Sequence, residues 1–195
     1  MTAPPADYAY DVFFSYKRHS LTLDWTRNVY RRLDFWLSEE LNRPARLFVD
    51  ETSIDTGDRW PESLRQALKL SRCMACVWSP SYFQSNWCVS EWQSFRERER
   101  RLNLQSHGLI APLKFHDGEH FPLEAREVEW IDVEPYNSTL PAFWTTVRAI
   151  ELEDKLKEYA HSLARIVNRS PIFTADWPVV DEQPLPPGKI ELARL

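Results

Sequence analysis

The segment QSNWCVSEW, residues 84–92, carries one acidic residue, Glu91, in a stretch otherwise free of charge. Trp87 stands four residues before it and Trp92 follows directly. On a helix starting near Ser85, Cys88, Trp92 and Phe95 lie one turn apart and form a core stripe; Trp87 and Glu91 share the neighbouring stripe. Glu91 is then expected at the border between packed core and open crevice, early in a helix whose dipole favours the ionised form. A half-buried acid beside an indole has a tunable acidity, which suits a catalytic carboxylate. The same residues also read as a helix-start glutamate that helps cap the first turn, with purely structural tryptophans.

Other residues with metal-binding or nucleophilic chemistry are dispersed. Cys73 and Cys76 form a lone CxxC inside RCMACVWS, which reads as a buried strand. Residues three apart on a strand point to opposite faces, and no matching His or Cys group lies nearby, so both read as buried structural thiols. His19, His107, His116, His120 and His161 are scattered, and KFHDGEHF, which holds two of them, reads as a solvated loop. No metal site is assigned.

The elements that must position Glu91 follow from periodicity. Residues 1–7 read as a loose arm, and YAYDVFFSY (8–16) as a strand covered on both faces. A helix over 24–42 repeats Trp25, Val29, Leu33, Trp36, Leu37 and Leu41 at helical spacing, with Asp24 as its N-cap and Pro44 as its stop. ARLFVD (45–50) reads as a short strand, ETSIDTGDR (51–59) as a polar loop, and WPESLRQALKLS (60–71) as a helix with Pro61 in its first turn. CMACVWS (73–79) is an apolar strand. The segment 80–103 turns helical near Ser85 or Asn86. Strands are expected at 108–115 and 128–133, and a long helix from Thr139 to about Asn168. Its stripe of Leu152, Leu156, Tyr159, Leu163 and Ile166 reads as core or as a self-association seam. Residues 170–195 are rich in proline and read as a tail or linker.

Such alternation implies an α/β fold: an open, mostly parallel five-stranded sheet with helices on both faces. Ligands of such sheets collect outside the carboxyl ends of the strands. The polar segments SYKRHS, DETSIDTGDR and SPSYFQSNW follow those ends. The first contains no glycine and no G-x-G-x-x-G follows the first strand, so a dinucleotide-binding dehydrogenase is not expected. Its basic character also argues against a receiver domain, which needs an acidic cluster there.

Composition sets outer bounds. The 195 residues suffice for one core plus an appendage. A net charge of −5 argues against non-specific nucleic-acid binding. No apolar run reaches the roughly 18 residues a membrane span needs. The opening MTAPPADYAY lacks the basic start and apolar run of a secretory leader, and the cysteines number an odd three. A cytoplasmic location is therefore expected.

Taken together, YDVFFSYKR, LFVDETSIDTGDRW and SPSYFQSNWCVSEW resemble the TIR (Toll/interleukin-1 receptor) domain family, with its flavodoxin-like fold. YDVFFSY looks like the family's first-strand box. FVDETSIDTG looks like its BB loop, with Asp50, Ile54 and Gly57 at the expected kinds of position. SPSYFQSNWCVSEW looks like the third-strand exit and the helix that carries the catalytic glutamate of enzymatic members. The first loop, KRHS, departs from plant relatives in lacking glycine. The resemblance covers roughly residues 8–150; the long helix at 139–168 and the tail exceed what the family core needs, and with that helix the domain is expected to run over 8–169, after an arm at 1–7.

This resemblance implies an NAD⁺ glycohydrolase of the bacterial type, with Glu91 as its catalytic carboxylate and NAD⁺ consumed as substrate, not held as a cofactor. Trp87 would pack against ribose or nicotinamide, Phe14 and Ser15 would line the site, Lys17 and Arg18 would meet the pyrophosphate, and Asp50 would flank the pocket. Each residue has a structural alternative: packing for Trp87, strand core for Phe14, a turn hydroxyl for Ser15, solvated charge for Lys17 and Arg18, a turn residue for Asp50. Self-association, a sensor domain or effector protein as partner, and an anti-phage role also follow from the resemblance. The competing expectation is a non-catalytic scaffold that acts only by binding other TIR domains.

Overall fold

The computed structural model describes residues 7–49, 62–104 and 108–181. Along the chain these form β1 (Tyr10–Tyr16), α1 (Leu23–Leu41), β2 (Leu47–Val49), α2 (Glu62–Lys69) and β3 (Ser71–Trp78). There follow the one-turn α3 (Pro80–Phe83), α4 (Asn86–Leu102), β4 (Ile110–Lys114), the short α5 (Leu123–Arg126), β5 (Ile131–Asp132) and α6 (Val147–Asn168). Asp50, the 51–59 loop and the expected helix start at Trp60 and Pro61 lie outside the described residues, as do residues 1–6, 105–107 with His107, and the chain from 182 onward.

All four strand pairings are parallel, in the order β2-β1-β3-β4-β5. From β1 the chain crosses to β2 on one side, then returns through α2 to β3 on the other. The topological switch point therefore lies between the carboxyl ends of β1 and β3, where open sheets of this kind open a crevice. The continuous apolar runs of β1 and β3 are buried on both sides, as two-faced coverage demands.

The two-residue period of β1 sends its side chains to different layers. Phe13 faces α4, with its ring centroid 6.5 Å from that of Phe95. Phe14 faces the opposite layer and meets Tyr30 of α1 edge-on at 5.6 Å. Helices α1 and α6 pack together in that layer, and the stripe Leu152, Leu156, Tyr159 and Leu163 is buried. The seam at 152–166 is thus core, with Ile166 partly buried at its end. Tyr159 adds a polar anchor by donating to the Ala111 carbonyl at 2.6 Å.

Several boundaries differ from those read from spacing. Helix α1 begins at Leu23 with Thr22 as the residue before it, so Asp24 is no N-cap; it sits in the first turn, where a negative charge suits the helix dipole. The helix ends before Pro44, because Asn42 turns left-handed at φ 53° and its N–H caps the last carbonyls. The helix expected from Thr139 starts only at Val147. Pro141 opens a separate 3-10 turn, and Thr146 is extended between the two.

Two charged residues inside the fold hold its ends. Asp11, fully buried at the start of β1, accepts both guanidinium nitrogens of Arg43, at 2.7 and 2.8 Å, and the Arg46 backbone N–H at 2.9 Å. Arg98, fully buried in α4, donates to the Leu68 and Ser71 carbonyls at 3.0 and 2.7 Å. Its guanidinium lies between the rings of Phe95 and Trp177, 4.5 and 4.8 Å from their centroids. Trp177 belongs to the irregular segment after α6, whose Val180 N–H also donates to Ser94 of α4 at 2.9 Å. No helix among the described residues is long and apolar enough to cross a membrane.

Burial pushes the Asp11 carboxyl up, but the Arg43 and Arg46 bonds outweigh it and hold the group below its ordinary value of 3.8. A depressed carboxyl stabilises the fold above that value and loses its contribution as pH falls through the lower, folded one. Asp11→Asn should cost about 2–4 kcal/mol in urea unfolding at pH 7, the range for breaking a buried pair whose remaining partners can rehydrate. The gap between native and variant proteins should close as pH falls below the ordinary carboxyl range.

Candidate active site

The carboxyl end of β1 and the start of α4 build the site. Ser15, 2% exposed, stands one residue before the end of β1 and pairs in register with Cys76 of β3. Being two residues from Phe13, it shares the face that α4 covers. Helix α4 starts at Asn86 after an extended Ser85, which places Glu91 in its second turn. Cys88, Trp92 and Phe95 are buried as the spacing requires, and Glu91 is buried beside them at 7% exposure.

The Ser15 hydroxyl donates to Glu91 Oε2 at 2.5 Å, and its oxygen lies 2.9 Å from Tyr82 Oη. Serine has one hydroxyl proton. Since that proton is committed to the carboxylate, the phenol of Tyr82 must donate to Ser15. The three groups form a directed chain, Tyr82 to Ser15 to Glu91, that ends on the carboxylate. The expectation that the helix dipole would stabilise Glu91 needs correction. That effect fades within the first turn, and Glu91 lies beyond it. The hydroxyl chain supplies the stabilisation at closer range.

Tyr82 escaped the sequence reading, which placed the helix start near Ser85. A separate turn, α3, precedes it: Pro80 occupies its first position and the Ser79 hydroxyl accepts the Tyr82 N–H at 3.3 Å. The S-P pair at its start is a signal that could have shown this turn. The turn drives the Tyr82 ring fully into the core, edge-on to Phe83 at 5.2 Å.

The neighbours of Glu91 are held neutral. Burial above all, with the neighbouring Cys76, Cys88 and Glu91 acting in the same direction, pushes the Tyr82 phenol well above its ordinary value of 10.0. Burial, then Cys88 and Glu91, push the Cys76 thiol well above its ordinary 9.0. Burial, followed by Glu91, likewise raises the Cys88 thiol, while Lys17 pulls it the other way.

The remaining sequence candidates divide. Lys17 is exposed and Arg18 half-buried, just past the carboxyl end of β1. Trp87 is half-buried one turn before Glu91 and packs against the core. Phe14 is not brought to this group: the strand's alternation puts it under α1, on the other side of the sheet. Asp50 lies outside the described residues. Among the described residues no group of three or more His, Cys, Asp or Glu could hold a metal ion. A carboxylate held by a buried hydroxyl near the carboxyl end of a strand can stabilise positive charge that develops beside it.

A family model described as TIR domain matches residues 12–143. Disease resistance protein RUN1 of Vitis rotundifolia is 26% identical over 112 residues, which are 57% of this chain and 8% of that protein. The chain thus matches a small part of that relative's length. Among solved structures, the TIR domain of the Toll-related receptor TRR-2 from Hydra magnipapillata aligns at TM-score 0.44 and 20% identity, over 75% of this chain and 98% of that one. The TIR domains of the activated Roq1 resistosome, which directly recognises the pathogen effector XopQ, align at TM-score 0.39 and 19% identity, over 83% and 86%.

Cys73, Cys76 and Cys88 are all buried, and burial raises all three thiols. A thiolate-selective alkylating reagent at pH 7.5 should therefore leave the folded protein unlabelled by intact mass, and add three groups after urea unfolding. Rapid labelling of Cys88 in the folded protein would show that the wall beside Glu91 opens freely.

Proposed function

This chain belongs to the TIR domain family, and on that premise we propose that it is an NAD⁺ glycohydrolase with Glu91 as its catalytic carboxylate. The observation that carries the reading is the Ser15–Glu91 hydrogen bond of 2.5 Å, which holds a buried acid at the switch point of the sheet. In the reaction the bond between ribose C1′ and the nicotinamide nitrogen breaks, and its electron pair goes to that nitrogen. Nicotinamide leaves a pyridinium as a neutral base, so no general acid is needed. The sugar passes through an oxocarbenium-like state whose positive charge a nearby carboxylate stabilises while holding ribose hydroxyls. Water then adds at C1′ and a proton is released, giving ADP-ribose. Attack by another nucleophile of the same molecule gives a cyclic product instead.

In this proposal Ser15 orients the carboxylate, Trp87 packs against ribose or nicotinamide, and Lys17 and Arg18 meet the pyrophosphate on the rim. Asp50 flanks the pocket from the segment between β2 and α2. Self-association of TIR domains would complete the site, and a sensor domain or a separate effector protein would couple it to a trigger. The name of the RUN1 relative places that protein in disease resistance. We extend this, by analogy, to an immune signalling role here, of the anti-phage kind in a bacterial setting.

Purified protein incubated with NAD⁺ should release nicotinamide, measured by chromatography. Glu91→Gln keeps the shape and loses the charge, and should lower the rate by at least about 100-fold, as loss of a transition-state electrostatic partner does. Equal rates for native and variant proteins would overturn the assignment. Silence of the native protein up to high concentration would instead favour a scaffold that works through TIR–TIR contact alone.

A further inference from the structure

We infer that Tyr82 is a positioning residue for Glu91, acting through Ser15 to hold the carboxylate ionised and aimed at the crevice. The geometry alone supports the relay; its kinetic consequence rests on the glycohydrolase reading. Three observations carry it. The Tyr82 oxygen lies 2.9 Å from Ser15 Oγ, which in turn lies 2.5 Å from Glu91 Oε2. Both hydroxyl residues are buried, at 0% and 2% exposure, so bulk water does not supply the same bonds. The phenol is held neutral far above its ordinary range, so it keeps its proton to donate at every pH at which the protein would work.

Polarity follows from proton counting. With Glu91 ionised, Ser15 must donate to it and Tyr82 must donate to Ser15. Each donation polarises the next and strengthens the bond on the carboxylate. With Glu91 protonated, the same chain has a donor too many, since the acid no longer needs the serine proton. The relay therefore favours the charged form. Among the described residues, Cys76 from β3 and Cys88 from α4 itself feel the Glu91 charge; Lys17 from the exit of β1 bears on Cys88, and Glu99 further along α4 bears on Cys76. Of these, the two buried thiols remain neutral and add no competing charge near neutral pH.

The sharpest test is Tyr82→Phe, which removes one oxygen and keeps the ring. The acid limb of the pH profile for nicotinamide release should move to higher pH by about 0.3–1 unit, the span if one neutral hydrogen bond is transmitted to the charged form. The same shift should appear in the titration of the Glu91 side-chain carboxyl carbon by NMR, which needs no turnover. A silent enzyme whose carboxyl midpoint still moves would therefore sink the catalytic reading and leave the relay intact. Ser15→Ala should move the midpoint further, and Tyr82→Phe should add little in the Ser15→Ala background, because its effect passes through that serine. Replacing Tyr82 by 3-fluorotyrosine, a stronger donor, should move the midpoint the other way and avoids any loss of packing in the phenylalanine variant. A midpoint unchanged in both Tyr82 variants, or a Tyr82→Phe shift undiminished without Ser15, overturns the inference.

Discussion

A carboxylate enclosed between a sheet and a helix must find its stabilisation within hydrogen-bond reach, because a buried charge without partners costs several kcal/mol. The Ser15–Glu91 bond meets that demand, and it dictates much else. Ser15 must be the residue of β1 that faces α4, which sets the alternation of the strand and sends Phe14 to the opposite layer. Helix α4 must start close to the end of β3, so that its second turn lies over the β1–β3 boundary. The short turn α3 makes that path possible and delivers Tyr82 to the same point.

The far end of α4 is held by a different device. Glu91, Ser94, Phe95 and Arg98 follow one another at helical spacing on the buried side of the helix. Glu91 ties the stripe to β1, and Arg98 ties it to the end of α2 and the start of β3. Burial pulls the Arg98 guanidinium down to about 10 from its ordinary 12.5, still charged near neutral pH. Its charge is met by the Leu68 carbonyl at the C-terminal end of α2, where the helix dipole is negative, by the Ser71 carbonyl at the start of β3, and by two aromatic faces. Trp177 is the outer face, so the segment after α6 is bound up with the seating of the helix that carries Glu91.

Much of this was legible in the sequence where burial leaves a periodic trace. The stripes of α1 and α6, the apolar runs of β1 and β3, and the step from Trp87 to Glu91 all show in spacing. What escaped depended on contacts distant in sequence. Arg98 sits in RERERR, where nothing in the residue types marks one arginine for burial; the Leu68 and Ser71 carbonyls and the Trp177 ring do so only in the fold. Tyr82 looked like part of a loop, because one turn of helix is too short to carry a period. Residues 170–181 looked like a bare tail, because proline content says nothing about what Trp177 covers. Phe14 and Ser15 were both named as neighbours of the crevice; adjacent positions on a strand cannot serve one face, and only the partners of Phe13 decide which of them does.

The two buried charges of α4 also differ in what their burial accomplishes. The Arg98 bonds occupy carbonyls at a helix end and a strand start, groups that would otherwise be costly to enclose. The charge there closes backbone structure. The Ser15–Glu91 bond closes no helix end and completes no strand ladder. An apolar side chain of similar volume would fill the place of a buried ion at equal or lower cost to the fold. Stability is therefore a weak reason to keep a carboxylate at position 91, and the proposed sugar chemistry is a strong one. A catalyst gains a fixed negative charge that need not reorganise when positive charge appears beside it.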